Sequence, residues 1–265
     1  GLDQARIVCG DGVEYLRQMG PVDFIYLDPA RRDEHGSRTY AIEDCTPNVL
    51  ELRDLLLAKS QYTLVKLSPM LDWRKVVADF DGTVREVHIV ATGNECKELL
   101  LVLGQQVHEE PSAPRVFCVN DNQRIDYDSA SYTQGLRIGG KPLPEAKNYL
   151  YEPNASIMKA GCFDLVEERF GVTQVGPSSH LFVSATPVAD FPGRGFAIEA
   201  IGGMNKKDIK RLLNGTKQAN IAVRNFPLTA PQLRKKLKLA DGGPVYLFGT
   251  TMQGCDHVLL RTSKI

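Results

Sequence analysis

The sequence predicts an α/β fold, a partial doubly wound sheet ending in an antiparallel hairpin and followed by smaller α+β units. Two observations carry this. Apolar runs stop repeatedly at an acid or a proline, as Phe24 to Leu27 does before Asp28-Pro29 and Tyr62 to Leu67 before Ser68-Pro69, with helix-like stretches between them. After residue 190 the pattern changes to short strands alternating with basic helices.

The organising stretch is Asp23-Phe24-Ile25-Tyr26-Leu27-Asp28-Pro29-Ala30-Arg31-Arg32. A run apolar on both faces predicts a strand buried in a parallel sheet, with helices on each side. Asp28 then stands at the carboxyl end of that strand, where open α/β sheets bind ligands. Pro29 has no N–H to donate, so the ladder ends there and the loop is stiffened. Ahead of it, Ala5 to Cys9 reads as a strand closing on Gly10-Asp11, followed by a helix-like Val13 to Leu16. Behind it, Pro47 to Lys59 reads as a helix with Thr46 as a cap, and Tyr62 to Leu67 as a strand. Trp73 to Phe80 is a short helix, and Val84 to Val90 and Glu98 to Leu103 are strands joined through Gly93-Asn94-Glu95-Cys96-Lys97.

The order strand, helix, strand, helix, then two strands joined by a short turn resembles the second half of a class I S-adenosylmethionine-dependent methyltransferase. Such a Rossmann-like sheet ends in an antiparallel hairpin. In that resemblance Asp28-Pro29 stands at the family's (Asp/Asn)-Pro-Pro motif, which makes Asp28 and Pro29 the implied catalytic pair. Asp11 matches the acid that receives the cofactor's adenine amino group, and a carboxylate suits an exocyclic amine donor. Asp11 and Asp28 are therefore the implied cofactor contacts. The family's glycine-rich loop and ribose acid precede the strand at residue 5. The resemblance thus implies that residues 1–104 are the C-terminal part of a catalytic domain and by themselves bind S-adenosylmethionine weakly or not at all. Ala30-Arg31 replaces the proline and aromatic of amino-methylating relatives, so Arg31 and Arg32 are expected to grip a phosphate, with Asn94 contributing from the same edge. Covalent methylation of a pyrimidine carbon needs a thiolate with an activating neighbour. Cys96 has no such neighbour in its stretch, which leaves nitrogen or oxygen as the acceptor.

Composition narrows the classes further. The chain has 265 residues, 43% of them hydrophobic and 24% charged, which suits a globular protein of one or two domains. No apolar run reaches the length of about 20 residues that a membrane span needs. The six cysteines form no C-x-x-C pair and the five histidines are scattered, so no metal site is expected and a cytoplasmic location is. Cys9 and Cys118 read as core residues in strands. No G-x-G-x-x-G follows a strand, which argues against a dinucleotide-dependent oxidoreductase. The net charge is +0, yet Gly203 to Ala240 carries ten Lys or Arg against one acid, Asp208. Such a block is the electrostatic footprint of a polyanion partner.

Beyond the polar stretch Gln105 to Pro114, Arg115 to Val119 and Arg124 to Tyr132 read as strands and Gly135 to Lys147 as a loop. Tyr149 to Asn154 leads into a helix over Ala155 to Phe170 that Gly171 ends. Gly195 to Ile201, Ala219 to Arg224, Val245 to Thr250 and His257 to Arg261 are strands, with helices at Asn205 to Leu213 and Ala230 to Leu239. This C-terminal pattern, together with Tyr151-Glu152-Pro153-Asn154, Gly93 to Glu98 and Asp28 to Arg32, resembles a bacterial methyltransferase group with a ferredoxin-like unit and a C-terminal THUMP-like domain. The expected domains are a methyltransferase-like 1–104, a ferredoxin-like 105–190 and a basic THUMP-like 191–265. The resemblance implies an enzyme that methylates RNA, tRNA or rRNA, at nitrogen or oxygen. Lys206, Lys207, Lys210, Arg211, Lys235 and Lys236 would hold the RNA. The competing expectation is an RNA-binding module in which the first sheet is only a scaffold.

Overall fold

In the computed structural model the described residues are 4–30, 42–43, 45–105, 113–131, 147–254 and 256–265. They form two units, 1–131 and 132–265. Arg31, Arg32, Cys255 and most of the loop expected over 135–147 lie outside the described residues.

The first unit opens with helix α1 (Gly12–Gln18), then β1 (Val22–Leu27), α2 (Val49–Lys59), β2 (Ser60–Leu67), α3 (Trp73–Asp79), β3 (Val84–Thr92), β4 (Glu95–Gly104), β5 (Arg115–Asn120) and β6 (Gln123–Asp128). The sheet order is β1-β2-β4-β3-β5-β6, with β1 parallel to β2 and β4 antiparallel to both of its neighbours. The expected hairpin is present, and its second strand turns back into the sheet between β2 and β3. Period-two alternation puts Val65, Leu67, Leu99, Leu101, Val87 and Ile89 on one buried face. Val49, Leu52 and Leu56 of α2 and Trp73 and Val76 of α3 are buried as well, and α2 packs on β2.

Several expectations change here. Among the described residues Ala5 to Cys9 enters no ladder: Ile7 is 95% exposed, and Cys9 is exposed rather than core. Among the described residues β1 pairs only with β2, so it is an edge strand, and Phe24 and Tyr26 stand half exposed on the uncovered face. Helix α2 is capped by Asn48, whose side chain accepts from Leu50 N, and not by Thr46. Residues 115–128, expected to open a second domain, extend the first sheet, because β5 pairs in parallel with β3 and β6 returns beside β5.

The second unit holds β7 (Tyr149–Pro153), α4 (Ala155–Ala160), α5 (Phe163–Phe170), β8 (Thr173–Gln174), β9 (Phe182–Ser184), β10 (Gly193–Gly202), α6 (Lys206–Leu213), β11 (Asn220–Arg224), α7 (Ala230–Leu237), β12 (Val245–Thr251) and β13 (His257–Lys264). The helix expected over 155–170 is two helices, because Gly161 takes a left-handed φ of 67° and caps the first. Asn154 caps α4 at its start, and Gly171 ends α5 as expected. All seven strands form one sheet, β11-β12-β13-β10-β7-β9-β8. One of its faces carries α6 and α7, whose Leu212, Leu233 and Leu237 share a cluster with Leu247 and Leu259. The other face buries Leu150, Phe196, Phe248, Val258 and Leu260 with Val175, Leu181 and Val183.

The sheet bends over so that its two ends meet. Gln253 N donates to Val175 O at 3.0 Å, and Asn225 Nδ2 donates to Pro177 O at 2.8 Å. Close approach demands glycine where β7 meets β10: a Cβ on Gly193 would lie 2.1 Å from Glu152 O and 2.9 Å from Pro153 Cα. Gly193→Ala is therefore expected to cost about 1–3 kcal/mol or more. Gly20→Ala, which meets nothing within 4 Å, serves as the near-neutral control. Urea unfolding followed by hydrogen exchange of the β7 and β10 amides checks this; equal stability of the two variants would refute the close-contact argument.

Candidate functional site

The carboxyl edge of the first sheet is assembled as strand directions dictate. β1 and β2 run in parallel, so Asp28 and Ser68 emerge at the same edge, and the β3–β4 turn at Gly93-Asn94 and the β5–β6 turn at Asn120-Asp121 open there too. The loop after β1 is pinned: Ala30 N donates to Thr46 O at 2.8 Å and Thr46 N donates back to Ala30 O at 3.2 Å. The two residues between Leu27 and this bridge, Asp28 and Pro29, are thus held at both ends.

Asp28 itself has a partner the sequence reading did not single out. Lys66, near the end of β2, places Nζ 2.5 Å from Asp28 Oδ2, with side-chain exposures of 25% and 41%. The hydrogen bond to Asp28 holds the Lys66 ammonium above its ordinary value against the opposing effect of desolvation, with further attraction from Asp28 and Glu98. Lys66 thus stays charged through the neutral range. A signal was present in the sequence: Lys66 is the one charge inside the apolar run Leu64-Val65-Lys66-Leu67.

Asp11 is the N-cap of α1. Its Oδ1 accepts from Val13 N at 2.7 Å and Glu14 N at 3.0 Å. These bonds, Glu14 first and then Val13, hold its carboxyl below the ordinary value of 3.8. Asp11 also lines a groove of about 490 Å³, together with Val13, Leu16, Ile25, Leu27, Thr46, Pro47, Leu52 and Leu56. The groove is mainly apolar and adjoins the strand end that carries Asp28. Asn94 lies at the same edge but two to three strands from β1, roughly 10–14 Å away at ordinary strand spacing. Its backbone N–H donates to Asn120 Oδ1 at 3.1 Å.

The basic block resolves into two kinds of residue. α6 and α7 lie on one sheet face, so Lys206, Lys207, Lys210, Lys235, Lys236 and Lys238 are exposed on neighbouring helices. Among the described residues none of these six is in an ion pair. The arginines are engaged. Arg211 Nη2 donates to Ile201 O at 2.6 Å and to Asp208. Arg234 Nη1 donates to Ala219 O and Ala240 O at 2.9 and 2.8 Å, while its Nη2 pairs with Asp241. Arg211, expected on the RNA surface, is therefore committed to joining α6 to β10.

Among the described residues no helix is long and apolar enough to cross a membrane. Residues 149–192 match a ferredoxin-like domain family and residues 193–264 a THUMP domain-like family. No curated protein matches the chain. Among solved structures, a putative methyltransferase from Porphyromonas gingivalis W83 is similar over 96% of this chain, with a TM-score of 0.83 and 35% identity. The chain spans 63% of that protein's length. The ferredoxin-like match begins at 149, in agreement with the strands at 115–128 belonging to the first sheet.

Because the Asp11 carboxyl is lowered in the folded chain, its capping of α1 is present above the ordinary carboxylate range and is lost as pH falls through the lowered value. Amide protection in α1 is expected to drop with a midpoint below 3.8, and Asp11→Asn, which retains the cap, to abolish that step. Hydrogen exchange across an acid series measures both; an unchanged step in Asp11→Asn would exclude the carboxylate as its source.

Proposed function

We propose that this chain is the carboxyl part of an S-adenosylmethionine-dependent methyltransferase that acts on RNA at nitrogen or oxygen. The observation that carries the reading is Asp28, a carboxylate pinned by Lys66 and by the Ala30–Thr46 bridge at the carboxyl edge of a parallel strand pair. The similarity in fold to the Porphyromonas protein supports it.

The residues present fit the adenine end of the cofactor. A flat aromatic ring suits the apolar groove, and Asp11 has one carboxylate oxygen committed to the helix and a second to receive an exocyclic amine. When bound, S-adenosylmethionine supplies an electrophilic methyl group. Asp28 accepts a hydrogen bond from the acceptor N–H or O–H and orients its lone pair, which is the positioning that such a transfer requires. Lys66, kept protonated, holds the Asp28 carboxylate in place through the ion pair; it is a positioning residue and not a base. Arg31 and Arg32, which follow Ala30 in the sequence, and Asn94 remain proposed phosphate or substrate contacts.

The THUMP-like domain supplies the RNA-binding half of the reading. Six lysines with no ion pair among the described residues, on two helices of one sheet face, present point charges suited to a phosphate backbone. They also support the second reading, an RNA-binding module in which the first sheet is a scaffold. A cytoplasmic location, where RNA is available, is part of the proposal.

Two measurements test these halves separately. In the full-length protein, transfer of a radiolabelled methyl group from S-adenosylmethionine to cellular RNA is expected, and Asp28→Ala is expected to lower it by roughly 100-fold or more. A rate within a few-fold of the parent would remove Asp28 from the chemistry. For the 265-residue chain, RNA binding is expected to weaken linearly in log salt by about 0.7 to 0.9 per phosphate contact. Charge reversal of Lys235 and Lys236 should flatten that slope by about one to two units without altering sequence preference. Identical slopes would make the lysines a solvated face.

A further inference from the structure

Glu152 holds together an arrangement that the RNA and methyl-transfer readings do not use. Its side chain is 3% exposed, and it faces two guanidinium groups. Oε2 accepts from Arg194 Nε at 3.0 Å and from Arg194 Nη2, and Oε1 accepts from Arg224 Nη2 at 2.8 Å. A buried carboxylate needs one cation to offset its desolvation. The second guanidinium leaves an excess positive charge.

Strand alternation gives this group one face. Arg224 follows Ala222 by two residues, Thr250 follows Phe248, Glu152 follows Leu150 and Arg194 precedes Phe196. Those four apolar partners all pack in the cluster opposite the helices. Glu152, Arg194, Arg224 and Thr250 therefore border that cluster, on the face away from the α6 and α7 lysines. Arg224 stands opposite Thr250 in the β11–β12 ladder. Arg224 Nε and Thr250 Oγ1 are both buried without a hydrogen-bond partner. Both arginine side chains reach solvent in part, with exposures of 44% for Arg194 and 40% for Arg224.

The surroundings do not cancel the charge. Among the described residues Glu152 is the one carboxylate that pairs with either arginine. His180, stacked on Phe163 at 4.4 Å, is held below its ordinary value of 6.5 by burial and then by the Arg224 charge, so it is neutral at pH 7.

We propose that Arg194 and Arg224, clamped by Glu152, form a binding site for a phosphate oxyanion. The planar donor fork of arginine matches two phosphate oxygens at once, and prior fixing by Glu152 spares the rotamer entropy that a free arginine loses on binding. The phosphate is either a phosphodiester of an RNA backbone or a free phosphate group. The site depends on neither the methyl-transfer reading nor the lysine surface.

The test follows the arginine Nε–Hε resonances of the 265-residue chain during titration with inorganic phosphate, beside sodium chloride at matched ionic strength. Saturable shifts of Arg194 and Arg224 with phosphate alone are expected. Arg194→Lys, which keeps the charge and loses the fork, should weaken binding by about tenfold. A parallel titration with hexauridylate separates the sources. Shifts at the same two resonances that phosphate competes away assign a phosphodiester, whereas a response to inorganic phosphate alone assigns a free phosphate. If Arg194→Lys does not fold, the parent titrations decide. No saturable response, or one that chloride reproduces, would overturn the proposal and leave both arginines as structural partners of Glu152.

Discussion

Each sheet is built around an antiparallel strand that the chain delivers after both of that strand's neighbours, and its backbone hydrogen bonds are the constraint on which the other elements depend. In the first unit β4 returns between β2 and β3, where Leu99, Leu101 and Leu103 are almost wholly buried. In the second, β13 returns between β12 and β10, with Leu259, Leu260 and Thr262 equally enclosed. A central strand has both rows of N–H and C=O groups to satisfy, and burial makes any unpaired one costly. That requirement brings β1 and β2 to one side of the first sheet and joins the ferredoxin-like strands to the THUMP-like ones in the second.

Charge is divided by side-chain chemistry. Arginines do the internal fastening: Arg234 binds two loop carbonyls, and Arg194 and Arg224 share Glu152. Arg261 binds Leu212 O and Leu213 O at the end of α6 while pairing with Glu199. Lysines are left to the surface of α6 and α7. The planar fork of arginine reaches several acceptors in one geometry, whereas a lysine ammonium is a strongly hydrated point charge that favours water. The basic count in this segment therefore overstates the charge available to a partner, because part of it closes the fold.

The first-sheet edge shows a complementary arrangement. Asp28 is partly exposed, so its pairing with Lys66 contributes little to stability in itself. What the pair does is aim a carboxylate, and the Ala30–Thr46 bridge fixes the backbone behind it. Asp11 performs two tasks in the same region, capping α1 through Oδ1 and lining the groove.

The sequence by itself determined the local elements. Pro29 and Pro69 end β1 and β2, Asn205 begins α6 and Gly171 ends α5, because proline, cap and glycine act on the backbone within a few residues. The hairpin order and the basic character of α6 and α7 were legible for the same reason. Only the tertiary structure decided which strands are neighbours. Arg115 to Asp128 looks like the start of a new unit until β5 finds β3, and Ala5 to Cys9 looks like a strand although it enters no ladder among the described residues. Lys66 with Asp28, and Glu152 with Arg194 and Arg224, are separated by 38 to 72 residues of chain. Such pairs form when sheet register and the bending of a sheet bring distant side chains within reach, and no local pattern of residues encodes that distance.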